Sequence, residues 1–189
     1  MYKTELLHEW IPVDELVDKY TDSPRFIEYC KACPSYGAQW GCPPLPFEPS
    51  EYMHKYKNAY VLGLKIYFGN DCIREADTKE KIQEESKKAS MYGVDRLYSI
   101  TEGLREKYKD SAMLVYGKCP LCKECVRKKG KACLHPEEMN YSLSGFGIDT
   151  QKLMKDVLKI DLLWPQETLP KYLTMVFVFM TNADDIKID

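Results

Sequence analysis

Residues 59–68, AYVLGLKIYF, and residues 112–116, AMLVY, are apolar, β-branched and aromatic runs of strand length, and the stretch between them is densely charged. The relation between these two runs decides the fold. Within residues 76–109, the positions Ile82, Ser86, Ala89, Gly93, Leu97, Ile100, Leu104 and Tyr108 recur at spacings of three and four, which puts them on one face of a long helix. The small residues at its middle permit close approach to a sheet, and Gly93 or Gly103 is a place where the helix could kink or divide. Strand, long helix and strand make a right-handed βαβ crossover. The expected fold class is therefore α/β, with a small, mostly parallel sheet and a long crossover helix.

Working outward, residues 172–180 read as a last buried strand, and Asp149 or Thr150 caps a helix bearing Leu153, Met154, Val157 and Leu158. Toward the N-terminus, Pro12 and Asp14 open a short helix that runs to about Tyr20. Ser23 and Pro24 then give an N-cap and a first-turn proline for a second helix, which delivers Cys30. Ser50 caps a further short helix. No internal repeat or low-complexity linker interrupts the chain, so residues 1–189 are expected to form a single domain, with cysteine-rich metal-binding loops at residues 30–46 and 119–136.

Composition narrows the partners. The chain is 44% hydrophobic and 30% charged, as expected of a globular core with a solvated surface. A formal net charge of −2 gives no general attraction to nucleic-acid phosphates or anionic lipid. The fourteen tyrosines are scattered, with no stripe of Arg or Lys beside them, and do not form a base-stacking surface. The longest apolar run falls well short of the ~20 residues that span a bilayer, and the charged N-terminus lacks the apolar core of a signal peptide. The expectation is a cytoplasmic protein without nucleic-acid or membrane partners, whose oligomeric state these features leave open. In a reducing compartment eight cysteines point to metal rather than to disulfides.

Seven of the eight fall into two groups. Cys30, Cys33 and Cys42 form C-x2-C-x8-C, Cys119, Cys122, Cys125 and Cys133 form C-x2-C-x2-C-x7-C, and Cys72 stands alone. Three cysteines at successive offsets of three cannot share one helix face, but a tight loop can wrap them around three corners of a cubane, as in the bacterial ferredoxin run C-x2-C-x2-C-x3-C-P. This sequence departs from that run at the fourth cysteine, which comes after seven residues and is followed by Leu134-His135-Pro136. Cys133 could thus close its own cluster or reach the other. Zinc also takes four thiolates, usually as two C-x2-C pairs, so the triple favours the cubane. In the first group prolines and glycines make a shaped loop with few ladder partners of its own. Three thiolates would anchor it, and Tyr36 and Trp40 would shield the cluster from water. Cys72, beside the turn signal Gly69-Asn70, is either a fourth ligand or a small buried hydrophobe.

The stretches C-x2-C-P-x-Y-G-x-x-W-x-C-P-P from Cys30, C-P-x-C-x2-C from Cys119 with C-x-H-P-E from Cys133, and S-x-x-G-F-G-I-D from Ser142 resemble a prokaryotic family of predicted metal-binding proteins of unknown function. The resemblance runs from about Cys30 to Trp164. It implies a metal, iron–sulfur in kind, at the two cysteine groups, and it implies no particular reaction.

Near those groups, His135 could be a ligand, a proton donor or a cap for the helix turn begun by Pro136, while Glu137 and Glu138 would favour that turn's N-terminus. Lys118, Lys123, Arg127, Lys128, Lys129 and Lys131 crowd the second group, where they would balance cluster charge or dock an acidic redox partner. Three functions are compatible with these residues. The leading one is a carrier of single electrons through two [4Fe-4S] clusters. The second is an enzyme whose Cys30 cluster keeps one iron open as a Lewis acid, with Tyr36, Gln39 or His135 close by. It gains if Cys72 is remote. The third is a zinc-stabilised interaction module.

Overall fold

Residues Tyr172–Thr181, YLTMVFVFMT, form strand β5, and nine of the ten are buried. Phe177 and Phe179 alone each gain roughly 1.5–3 kcal/mol by leaving water, so a strand apolar on both faces must lie where both faces are covered. It takes the centre of a five-stranded sheet. The computed structural model describes residues 2–188, and in it the other strands are β1 (Lys3–Pro12), β2 (Asn58–Tyr67), β3 (Ser111–Val115) and β4 (Tyr141–Ser142). Their spatial order is β1-β2-β5-β3-β4.

This arrangement corrects the expected mostly parallel sheet. β1–β2, β2–β5 and β3–β5 are antiparallel, and only β3–β4 is parallel. β2 and β3 do run the same way, because each opposes β5, and the long helix does connect them. They are not neighbours, however, since β5 lies between them. A continuous apolar run is ordinarily the mark of a buried parallel strand. Here it marks an antiparallel strand covered on both faces, and the sequence pattern of the two cases is the same. β1 escaped the sequence reading altogether. It is an edge strand, mostly exposed and rich in charge, and shows no apolar alternation.

One face of the sheet carries α5 (Lys79–Lys107), whose Ile82, Ala89, Leu97 and Leu104 pack on Leu62, Leu64, Ile66, Phe177 and Phe179. The helix runs undivided through Gly93 and Gly103. A Cβ at Gly93 would stand 2.6 Å from Ile66 Cδ1 and from Met175 Cγ, so the small residue is what lets the helix approach the sheet. The expected helix start at residue 76 is replaced by a short α4 (Asn70–Glu75) and an N-cap at Thr78.

The opposite face carries α1 (Val13–Tyr20) and α6 (Thr150–Val157), with Leu16, Phe146, Leu153 and Met154 packed against Val176 and Val178. Next in the chain, α2 (Ser23–Lys31) is capped by Asp22, whose side chain accepts from the Arg25 N–H, rather than by Ser23. Its start is pinned because Asp22 N–H donates to Gly147 O at 2.8 Å and Asp149 N–H to Tyr20 O at 2.8 Å. α3 (Pro49–Met53) has no side-chain cap, against the cap expected from Ser50. Among the described residues no helix is long and apolar enough to cross a membrane. The cysteine loops leave the fold at two places, the C-terminus of α2 and the carboxyl end of β3.

Candidate metal centre

The first loop grows out of α2. Cys30 lies in its last turn and is buried. Cys33 follows, its N–H donating to Cys30 O at 2.9 Å, and is exposed. Turn bonds then carry the chain round to a buried Cys42, whose N–H donates to Gln39 O at 3.1 Å. The three thiols share one cavity of about 400 Å³, which Tyr29, Tyr36 and Lys118 also line. Their mutual influence shows in their acidity. Burial, the main cause, pushes the Cys42 thiol up to about 11, Cys33 and Cys30 push it the same way, and a hydrogen bond with Ser142 opposes them. Cys30 is likewise raised by burial and then by Cys33.

The second loop starts where β3 ends. Cys122 is raised by partial burial first and then by the neighbouring thiols of Cys119, Cys133 and Cys125, so Cys133 stands with the other three of its own group. Among the described residues, no N–H from Gly117 to Cys125 donates to a backbone carbonyl. A loop with its donors unspent suits a partner rich in acceptors.

The two loops are joined by named contacts. Arg127 Nη1 donates to the Gln39 and Cys42 carbonyls at 2.7 and 2.8 Å, and its Nη2 donates to the Pro44 carbonyl at 2.6 Å. Its guanidinium lies 4.8 Å from the Trp40 ring centroid. The Trp40 N–H reaches Cys125 Sγ at 3.4 Å, and its indole Nε1–H donates to Lys131 O at 3.0 Å. Behind them Gly41 leaves no room for a side chain, since a Cβ there would meet the Asn140 carbonyl and stand 3.5 Å from Cys119 Cβ. Gly41 O in turn accepts from the Ser142 N–H at 2.8 Å. The first and second cysteine groups are therefore neighbours.

Cys72 is elsewhere. Its thiol lies 3.9 Å from Glu85 Oε2 in a cleft between α4 and α5, and it is raised by burial and then by Glu85 and Glu75. Of the other sequence candidates, Tyr36 faces the first cavity, and Trp40 bridges the two loops rather than serving one group alone. His135 precedes the Pro136–Glu138 turn without a side-chain cap bond, and its Nδ1 is 3.7 Å from Glu138 Oε2. His54 is on the surface beside Asp14. Arg127, grouped with the lysines as charge balance in the sequence, is a clamp across loop carbonyls.

Three residues at the site lie outside the two cysteine motifs, and of these only Ser142, which opens the S-x-x-G-F-G-I-D stretch, belongs to a motif of the sequence at all. Asn140 is fully buried, with Nδ2 at 4.0 Å from Cys119 Sγ, and Arg105 Nη1 donates to Asn140 Oδ1 at 2.8 Å. Ser142 bonds Cys42. All three come from outside the cysteine motifs, so only the folded chain brings them in. Among the described residues, no group of three or more His, Cys, Asp or Glu side chains is placed so as to hold one metal ion.

The model of a family described as predicted metal-binding protein (DUF2284) matches residues 10–179, a span that includes both cysteine groups. No curated protein and no solved structure matches the chain.

Proposed function

Because the chain belongs to the predicted metal-binding family DUF2284, we propose that its metal is iron–sulfur and that the two neighbouring cysteine groups hold one [4Fe-4S] cluster each. The donor chemistry fits. Seven thiols stand in sets of three and four, the second loop has free N–H groups, and the Trp40 N–H and the Asn140 amide already face sulfur atoms of that set. A single zinc ion draws its sulfurs to about 2.3 Å from one centre, whereas a cubane binds each thiolate at a different corner.

On this reading Cys119, Cys122, Cys125 and Cys133 ligate one cluster completely, and Cys30, Cys33 and Cys42 ligate three corners of the other. Such clusters supply reversible one-electron transfer and, where a corner lacks a thiolate, a Lewis-acidic iron. The observation that carries the proposal is the remote position of Cys72, which leaves the first group with three thiols around an open cavity of about 400 Å³. The protein is then an electron relay that ends in a small-ligand site. Tyr29, Tyr36 and Lys118 shape that site, with the Lys118 ammonium favouring an anionic ligand. Lys123, Lys128 and Lys131 around the second group form a face suited to an acidic one-electron carrier.

The test is electron paramagnetic resonance on dithionite-reduced protein, with cyanide as a general ligand for open iron. Two cluster signals, of which one shifts with cyanide, are expected. Two signals that both ignore cyanide would leave a plain electron carrier and remove the open site.

A further inference from the structure

β3 ends at Val115 opposite Phe177, so the first half of β5, residues 172–176, has β2 on one side and no strand on the other. The chain leaves the sheet at Tyr116 and Gly117. Where it diverges, a cavity of about 420 Å³ opens, lined by Tyr116, Leu162, Trp164 and Thr174 together with Arg25 and Asp149.

Three observations single out this space. Thr174 is only 8% exposed, yet its hydroxyl has no hydrogen-bond partner among the described residues. Buried polar groups are nearly always paired, so a lone one on a cavity wall marks a place for a polar atom from outside the chain. Trp164 and Tyr116 are 56% and 39% exposed, large aromatic surfaces left uncovered at the same opening. Gly117 and Ser144 line both this cavity and the one that holds Cys30, Cys33 and Cys42, so the two spaces adjoin.

We infer that this opening is a binding subsite for a flat heteroaromatic ring, stacked on Trp164 and Tyr116 and hydrogen-bonded at its edge to Thr174 Oγ1. The aromatic faces favour a planar π-system over an aliphatic chain. The buried, unpaired Thr174 hydroxyl, among the hydroxyls that line the cavity, selects a ring with a carbonyl or N–H on its rim. A salt-bridged Arg25 and Asp149, 3.6 Å apart, add a polar but charge-balanced wall, which suits a neutral ring. A ligand seated here reaches past Gly117 toward the three-thiol cavity. The subsite itself does not depend on what metal that cavity holds.

The experiment is calorimetric titration of the full chain, purified without oxygen, with riboflavin and with adenosine as neutral ring probes, followed in parallel by tryptophan emission. Saturable binding of at least one probe is expected. Thr174→Val should weaken it about tenfold while leaving the melting temperature unchanged or higher, because the variant removes an unpaired hydroxyl. Trp164→Ala should weaken it at least as much without changing metal content. Lack of saturable binding by both probes, or binding that neither substitution alters, overturns the inference. Iron content measured on the same samples keeps the two readings apart, since ring binding without iron sinks only the cluster reading and iron without ring binding sinks only this one.

Discussion

Arg127 holds three carbonyls, those of Gln39, Cys42 and Pro44, with one guanidinium and rests against Trp40. A planar fork can do this and an ammonium cannot. Arg127→Lys should therefore release the first loop, cutting iron by about one cluster and lowering stability by about 1.5–3 kcal/mol, as read by iron analysis and urea unfolding. Unchanged iron in that variant would detach the clamp from the metal. Among the cysteines, Cys33→Ala and Cys122→Ala should each lose about one cluster's iron, whereas Cys72→Ser, far from both groups, should retain full iron. Spacing alone divides seven of the cysteines into a set of three and a set of four. The place of Cys72 was not legible in it, because residues on either side of a strand end can point to either cluster or to neither. Nor were Asn140 and Ser142, since a buried amide or hydroxyl that meets a thiol from another segment leaves no periodic trace.

At the scale of elements, the body of α5, though not its start, was read from its three-and-four spacing, and the structure gives the small residue at its middle a physical purpose. Gly93→Val should force the helix off Ile66 and Met175 and cost about 1–3 kcal/mol, visible in the urea midpoint. Gly103 has open space around it on the exposed side of the same helix. There Gly103→Ala should stabilise by about 0.5–1 kcal/mol. Opposite signs for two glycines ten residues apart would confirm which one the packing requires, and equal effects would deny it. Strand direction was the failure of the sequence reading. A helix between two strands says that they run the same way, which β2 and β3 do. It does not say that they touch, and the most apolar strand of the chain took the place between them.

Across the whole molecule, the aromatic cluster below the cysteine loops ties stability to pH. Tyr52, Tyr56 and Tyr141 pack together, with Tyr52 centroids 6.1 and 5.2 Å from the other two, and burial is the main cause that raises all three phenols. The folded chain thus holds these protons more tightly than the unfolded one. Their contribution is fully present below the unfolded value of about 10 and is lost as pH climbs above it. Urea midpoints should fall above pH 10, and Tyr56→Phe should flatten that fall; a fall of the same steepness in the variant would assign it to other groups. The same cluster includes Phe47 and Phe146, so the segment after Cys42 and the stretch around Ser142 are fixed by one aromatic core. That core is what lets two loops 89 positions apart at Cys30 and Cys119 meet as one centre.

The most direct measurement is iron, zinc and acid-labile sulfide content of the full chain purified without oxygen, made side by side on the Cys72→Ser variant. About eight irons and about eight sulfides per chain, equal in both proteins, are predicted for two cubanes held by seven thiolates. Zinc without sulfide, or iron that falls by half when Cys72 is removed, would contradict the account.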